Sequence, residues 1–334
     1  MKIIVGLFIF CMILFLYLHV TFQLRTSSDL DVYEIDVTSK DRLEEVCDVR
    51  QPVMFDYTNE TVTRDINFSQ LTNKYPAFDV NMRSTSENKD DSLYSPVPMR
   101  SANKLFDVAR NKKYFSENNS SFLGETGCVK SMNYHDEFLR PYMVSNCNYD
   151  VMFGSTGITT PMRYEVNYRN YFYITEGEAT IRFAPPKNTK YMMEHADYMN
   201  YEFRSPINPW NVQDSYLLDF EKVKCVDIHL TPGKMVYIPA YWWYSIKFEK
   251  RTTIACFRYR TYMNNISILP RFCMYVFQQQ NLLQDGVKNK IGREVLEQEI
   301  RDHATPADPN DPIDPNKSAA AIEATKEEKN DISQ

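Results

Sequence analysis

The sequence is short of several features that would classify it at once. Its seven cysteines form no Cys-x-x-Cys pair, and Cys47, Cys128, Cys147, Cys225, Cys256 and Cys273 follow no framework spacing. Their even number permits disulfides but prescribes none. There is no excess of positive charge: 38 Lys and Arg stand against 44 Asp and Glu, a net charge of -6. That argues against a general nucleic-acid binder, so no nucleic-acid partner is expected. No internal repeat is visible. No small-x-small cleavage signal follows the first apolar run, where Thr21, Phe22, Gln23 and Leu24 stand instead, which favours an uncleaved anchor over a removed signal peptide.

That run is the first positive feature. Residues 3–18 are uninterrupted apolar, and with residues 19–22 the stretch reaches about 20 residues, enough for a helix to cross a bilayer core. A buried helix of a soluble protein fits less well, because the run sits at the extreme terminus and precedes a polar, acidic stretch. Residues 1–22 therefore read as a single-pass signal anchor. Lys2 lies before it, and Arg25 follows it with Asp29, Asp31 and Glu34. Acidic residues count for little in orientation, so the balance leans to N-inside, with the globular part luminal or extracellular. Sequons at Asn59, Asn67, Asn118, Asn119, Asn265 and Asn316 fit such a glycoprotein without proving it.

Beyond the anchor the composition, 14% aromatic and 25% charged, suits a globular core. Residues 23–31 read as a polar linker. Residues 32–37 alternate apolar and polar as a half-buried strand. A helical patch follows at 41–46, then a buried strand opened by Pro52. Residues 81–91 read as a solvated loop and 101–110 as a helix. From residue 150 onward, short Tyr-, Phe-, Ile- and Val-rich runs separated by turn residues predict strands at 181–183, 224–230, 235–238, 245–248 and 253–259, with a long polar loop at 187–213. Regular strands with turns point to a sandwich or barrel. A main domain over 32–285, a C-terminal helix over 286–303 and a disordered tail over 304–334 complete the division.

The most specific motif is PGKMVYIPAYWWYSI at residues 232–246: a tight turn at Pro232-Gly233, a buried strand, then an aromatic run into a second strand. It resembles the segment carrying the last iron ligand in JmjC and cupin-like 2-oxoglutarate oxygenases, especially the factor-inhibiting-HIF-like branch. The resemblance implies a mainly β double-stranded β-helix, a cupin-like jelly roll with flanking helices, behind one N-terminal transmembrane helix. In that family the run ends Trp-Trp-His, and the histidine binds iron; here it is Trp242-Trp243-Tyr244. The family's other two ligands occupy a Thr-Pro-x-His-x-Asp frame. This chain has Thr160-Pro161-Met162-Arg163-Tyr164-Glu165, followed by Gly177 and Ala184-Pro185-Pro186 and preceded by Met152-Phe153-Gly154, which is similar to the family's strand end.

The resemblance therefore makes Arg163, Glu165 and Tyr244 the occupants of a degenerate metal site. A guanidinium stays protonated and has no lone pair to give a metal. A phenol titrating near pH ~10 is a poor replacement for imidazole. The family's 2-oxoglutarate lysine, two residues after the glycine, is matched by Ala179. No metal, no cofactor and no catalytic residue are then expected; an active protein would need Fe(II) and 2-oxoglutarate. In a strand, residues i and i+2 share a face, so Arg163 and Glu165 are expected to pair at the barrel mouth near the Tyr244 hydroxyl. Thr160, Asn170, Arg182 and Trp242 are the candidate pocket-lining residues, although the parity of Arg182 turns it away from Ala179.

Bland readings compete with some of these residues. His195-Ala196-Asp197 has ligand spacing but falls in the long loop. His135-Asp136 reads as a surface or turn pair, and His229 as a hydrogen-bonded sheet histidine. Trp242 and Trp243 suit core packing as well as ligand stacking. The function expected is a membrane-anchored, catalytically inactive cupin-like domain that binds a protein, glycan or small anionic ligand at the barrel mouth. The alternative is an oxygenase with a non-standard ligand set, in which His135, His195 or His229 converges on Glu165. A third reading is a structural module that only displays its loops.

Overall fold

Strands rich in β-branched and aromatic residues build two sheets, and the period of two along each strand decides what lies between them. The computed structural model describes residues 2–37, 39–85, 94–107, 114–198 and 201–282. Strands and helices are numbered in chain order. The first sheet runs β1 (Tyr33–Glu34), β2 (Val53–Asp56), β13 (Lys234–Pro239), β8 (Arg169–Glu176), β15 (Thr252–Thr261), β6 (Val144–Gly154), β5 (Tyr114–Ser116), β3 (Asp79–Ser84), β4 (Ser95–Pro98). The second runs β10 (His195–Asp197), β11 (Glu202–Arg204), β7 (Arg163–Tyr164), β14 (Trp243–Phe248), β9 (Ala179–Ala184), β12 (Val226–Leu230). Every pairing is antiparallel except β1 with β2.

Met152, Phe172, Val236, Ile254 and Cys256 of the first sheet meet Ile181, Phe183, Ile246 and Phe248 of the second in one buried cluster, the barrel interior. Residues of opposite parity, among them Val151, Tyr171, Tyr237 and Phe257, face outward into a second cluster. Side chains from the helices α2 (Lys40–Asp48), α3 (Glu60–Asp65), α4 (Phe68–Lys74), α5 (Met99–Asp107), α6 (Ser120–Glu125) and α7 (Val129–Asn133) complete that cluster. The short α8 (Leu217–Phe220), then α9 (Tyr262–Ser267) and α10 (Leu269–Leu282), follow later in the chain. The architecture is a mainly β, cupin-like jelly roll with flanking helices, preceded by an apolar helix α1 (Lys2–Leu24). Among the described residues α1 alone is long and apolar enough to cross a membrane; its most apolar window has mean hydropathy 2.8 and is 0% buried. A signal sequence has the same character.

Local expectations met mixed outcomes. The alternation at 32–37 yields only the two-residue β1, both residues exposed, because its neighbours leave the sheet after a short parallel pairing. The expected loop at 81–91 begins as strand: β3 extends to Ser84 and buries Val80 and Met82 against the helices. The long loop at 187–213 contains β10 and β11, a polar hairpin held by Arg204 ion pairs to Asp197 and Glu202 rather than by apolar alternation. Within the polar linker, Lys187 Nζ donates to the Ser28 carbonyl at 3.0 Å and Gln51 Nε2 to Asp29 at 3.3 Å. The helix expected at 286–303 and the tail at 304–334 lie outside the described residues.

Gly177 joins β8 to β9 with φ +81, and a Cβ built there would stand 2.1 Å from the Arg251 carbonyl oxygen. Gly233 has φ +89 but open space around it. Gly177→Ala should lower stability by about 2 kcal/mol or more, combining left-handed strain with a backbone clash. Gly233→Ala should cost only the strain, about 1 kcal/mol. Equal denaturation midpoints for the two variants would contradict the close approach at Gly177.

Candidate functional site

The apolar filling of the barrel stops at one end, and the same inward faces turn polar. Along β15 the inward series is Ile254, Cys256, Arg258, Arg260; along β6 it is Met152, Asp150, Asn148, Asn146. The register sets Arg258 opposite Asn148 on one side and Asn170 on the other, with Arg260 opposite Asn146. From the second sheet, Arg163 of β7 lies directly across from Tyr244 of β14. The result is a polar mouth with a pocket of about 200 Å³ whose lining includes Asn148, Arg163, Glu165, Asn167, Arg258 and Arg260.

Local backbone features hold these side chains in place. The segment before β7 is stitched to β14: Thr160 N–H donates to the Ile246 carbonyl at 2.8 Å, Ile246 N–H donates to Thr160 Oγ1 at 2.9 Å, and Ser245 Oγ donates to the Thr160 carbonyl at 2.6 Å. Tyr241, in the turn between β13 and β14, has φ +67, and its N–H donates to the Glu165 carbonyl at 2.8 Å. A non-glycine residue in the left-handed region persists only where its surroundings fix it. Here the turn fixes where Glu165 sits. On the far side, Asp150 accepts the backbone N–H groups of Asn118 at 3.1 Å and Asn119 at 2.6 Å, which sets the loop after β5 and with it Glu117.

The three positions singled out in the sequence meet, but not in the expected pairing. Tyr244 donates its hydroxyl to Glu165 Oε1 at 3.1 Å, and the Arg163 guanidinium lies 5.4 Å from the centre of the Tyr244 ring. Arg163 does not pair with Glu165: its Nη1 contacts Glu117 Oε2 at 2.5 Å. Glu165 instead has Arg258 Nε at 3.5 Å, while Arg258 Nη1 reaches Asp150 at 3.1 Å. Glu117 also receives Arg83 Nη1 at 3.0 Å and the Tyr94 hydroxyl at 2.9 Å, and Arg83 contacts Glu202 at 3.1 Å. The reason is burial. Arg163 and Arg83 are both enclosed, and Glu117 is the carboxylate with 1% side-chain exposure between them, whereas Glu165 is 22% exposed toward the pocket. A buried cation takes the buried carboxylate because neither has water as an alternative.

The charge states follow from these contacts. Burial would push the Glu117 carboxyl up, but Arg163 and Arg83 outweigh it and hold it at about 2, far below its ordinary 4.5. Burial opposes the charge on Arg163, and Glu117 more than restores it, so the guanidinium stays protonated. Burial dominates at Tyr244 and lifts it well above 10, so the phenol keeps its proton and donates it to Glu165. Burial also raises Glu202, with Glu117 adding to the effect against the pull of Arg83. Arg163 Nε and Nη2 and Arg258 Nε find no hydrogen-bond partner among the described residues. Arg260 donates to Asn167 at 2.6 Å and has no carboxylate at ion-pair distance among them.

None of the four candidate lining residues borders this pocket. Thr160 is occupied by β14 as described. Asn170 is fully buried, donating to the Ile238 carbonyl at 3.1 Å and accepting from Asn167 at 3.1 Å. Arg182 points to the outer face, forming a bidentate pair with Asp227 at 2.7 and 2.6 Å and stacking on Trp210 at 4.2 Å. Trp242 is core: it is 0% exposed and donates Nε1 to the Arg50 carbonyl at 3.0 Å. Of the histidines, His195 stands exposed on β10, and exposed His229 contacts Thr180 at 3.5 Å on β12. Of the His135-Asp136 pair, His135 is exposed at a bend, but Asp136 is buried and accepts from Tyr149 at 2.6 Å, Arg140 at 2.7 Å and Tyr259 at 2.8 Å. All seven cysteines are free thiols.

Glu117, Arg83, Arg258, Asp150 and Glu202 were not foreseen. Arg258 was accessible from parity, since it follows Ile254 and Cys256 on one face of a predicted strand. Glu117 and Arg83 lie in a stretch with no readable periodicity, and only the folded chain brings them to the mouth.

A divalent metal would need neutral imidazoles or free carboxylates here. The groups available are the guanidinium groups of Arg163, Arg258 and Arg260, which offer a metal no lone pair, a protonated phenol, and carboxylates already held by arginine or tyrosine. The set does not fit iron. Among the described residues no group of three or more His, Cys, Asp or Glu side chains gathers as a metal ligand set.

No curated protein matches the chain. The family model for the cupin-like domain matches residues 27–261, more than half of the chain and the whole of both sheets. With that match and the jelly-roll architecture together, this chain belongs to the cupin-like domain family.

Proposed function

We propose that this protein is a single-pass membrane protein whose cupin-like domain is catalytically inactive and works as a binding module. Its globular part faces the lumen or the exterior, where accessible sequons accept glycan; buried Asn119 does not. Arg163, Glu165 and Tyr244 occupy the degenerate metal site. The observation that carries this reading is the Arg163–Glu117 ion pair, which holds a protonated guanidinium at the position of a family ligand and leaves the buried carboxylate already engaged. The mouth then suits a small anionic ligand, such as a carboxylate or phosphate, better than a protein or glycan. Support comes from Arg260, which has no carboxylate at ion-pair distance among the described residues, and from Arg163 Nε and Nη2, which find no hydrogen-bond partner among them. No observation favours the alternative of an Fe(II)/2-oxoglutarate hydroxylase: His195 and His229 are exposed, on strands at the two edges of the second sheet.

The test is to purify the full chain in detergent without chelator, measure bound metal, and titrate Fe(II) with 2-oxoglutarate by anaerobic calorimetry. The expected result is no stoichiometric metal and no iron-dependent heat. Stoichiometric iron lost in Glu165→Gln would make the protein an oxygenase with a new ligand set.

A further inference from the structure

Helix α10 wears its amphipathicity inside out. The side chains it turns toward the domain are Arg271, Tyr275 and Gln278, all half-buried at helical spacing. Arg271 donates to the Tyr164 hydroxyl at 2.6 Å and lies over the Phe203 ring at 4.6 Å. The opposite face carries Leu269, Phe272, Val276 and Phe277, with Met274 at its edge, each between 38% and 61% exposed. No exposed side chain from Leu269 to Phe277 is charged. The preceding α9 adds exposed Tyr262 and Ile266. A soluble surface helix shows the reverse arrangement, because exposed apolar area has no favourable contact with water.

The neighbour of this face says what covers it. α9 packs against α1. The covered side chains near the end of α1 are Leu16, His19, Val20 and Gln23, one helical stripe, while the rest of that helix is exposed and apolar. The exit from α1 is tied down as well, by Arg50 over the Phe22 ring at 5.3 Å and by Lys187 on the Ser28 carbonyl. If the apolar length of α1 lies in a bilayer, its last two turns stand at the membrane boundary, and α9 stands beside them. An uncharged aromatic and aliphatic helix face at that level has the composition of an in-plane interfacial helix.

We infer that α9 and α10 lie on the lipid surface beside α1, giving the domain a second, in-plane membrane contact at the mouth end of the barrel. This rests on the reading of α1 as a membrane span. The occupant of the apolar face is the acyl and headgroup boundary of the bilayer, and the domain is held in one orientation instead of swinging on a flexible stem.

The test uses the full chain in lipid vesicles, with exposed Cys11 and Cys273 replaced by serine. Nitroxide labels are placed one at a time by Leu14→Cys on α1, Phe277→Cys on α10 and Lys250→Cys. Lys250 lies beyond the far end of β15, roughly 30 Å along that strand from α9. Collision of each label with oxygen, which partitions into lipid, is compared with collision with a water-soluble nickel chelate. The expected result is an oxygen-to-nickel ratio severalfold higher at positions 14 and 277 than at 250. A lipid-like ratio at 14 with a water-like ratio at 277 overturns the inference and leaves the anchor intact. A label at 277 shielded from both reagents also overturns it, because protein then covers the face; spin coupling between chains would mark a second copy, and its absence a later segment of the same chain. Water-like ratios at both 14 and 277 remove the anchor reading and this inference together.

Discussion

Glu117→Ala should be the most damaging single substitution at the barrel mouth, costing about 3–5 kcal/mol of folding stability. Glu117 is shared by Arg83 and Arg163, at 3.0 and 2.5 Å, and all three side chains are nearly inaccessible to water. Removing the carboxylate leaves two guanidinium groups facing each other in the interior, with Glu202 and the Tyr94 hydroxyl as the partners left to Arg83 among the described residues. Arg163→Met should cost less, about 1–3 kcal/mol, because Glu117 keeps Arg83 and Tyr94 as partners. The double variant Glu117→Ala with Arg163→Met should cost less than the sum of these two singles by about 0.5–3 kcal/mol, since each single change strands the other side chain. Denaturant unfolding of the full chain in detergent, followed by tryptophan fluorescence, measures all of these. A loss below about 1 kcal/mol for Glu117→Ala would be the size of an exposed pair and would contradict the enclosed network.

The same residue leaves a mark on the pH profile. Its folded-state value, about 2, lies below its ordinary 4.5. A depressed carboxyl contributes stability that is complete above about pH 4.5 and disappears as the pH falls toward 2. Glu202 is shifted upward and contributes with the opposite sign, since its protonation on acidification relieves a cost. Glu117→Gln should therefore flatten the acid limb between pH 4.5 and 2, and Glu202→Gln should not.

Trp242→Ala should rival Glu117→Ala, at about 3–5 kcal/mol, as the largest loss available in the barrel interior. Its ring is 0% exposed among the residues that fill the barrel. Its Nε1 donates to the carbonyl of Arg50, a residue with φ +62 whose guanidinium lies over the Phe22 and Tyr168 rings. Trp242→Phe keeps most of the volume but strands that carbonyl, at about 1–3 kcal/mol. Neither change should alter binding of a carboxylate or phosphate probe at the mouth once both proteins are held below their unfolding transitions. A lost affinity with retained stability would return Trp242 to the pocket. Trp210→Ala, by comparison, removes a half-buried ring that stacks on Arg182 and bonds Ser245, and should cost less.

The residues most readable in the sequence were those governed by strict local rules. The Pro232-Gly233 turn, the strand after it and the aromatic run emerged as β13, a left-handed turn at Tyr241 and β14. β9 and β15 were legible as short Ile-, Val-, Phe- and Tyr-rich runs between turn residues. The hairpin of β10 and β11 was not, because charged residues, with Arg204 paired across to Asp197 and along its own strand to Glu202, interrupt the apolar period that a sequence displays. β3 was missed for a related reason: its two core residues, Val80 and Met82, are separated by a single asparagine and followed by polar residues.

At the mouth the division is sharper. The resemblance to the cupin-like iron site implied that Arg163, Glu165 and Tyr244 would come within reach, because the Thr-Pro frame and the Trp-Trp run mark that family's ligand positions. Sequence alone determined that α1 is apolar along a membrane's thickness. Which carboxylate each arginine takes was decided only by the tertiary structure. Two residues apart on one strand made Glu165 the natural partner of Arg163, but electrostatic choice in a low-dielectric interior follows enclosure, not sequence distance. Glu117, held by Asp150 through a loop distant in the chain, is the more enclosed acid. The outward apolar face of α10 is a tertiary fact of the same kind: only the position of Arg271 against Tyr164 turns that face away from the protein.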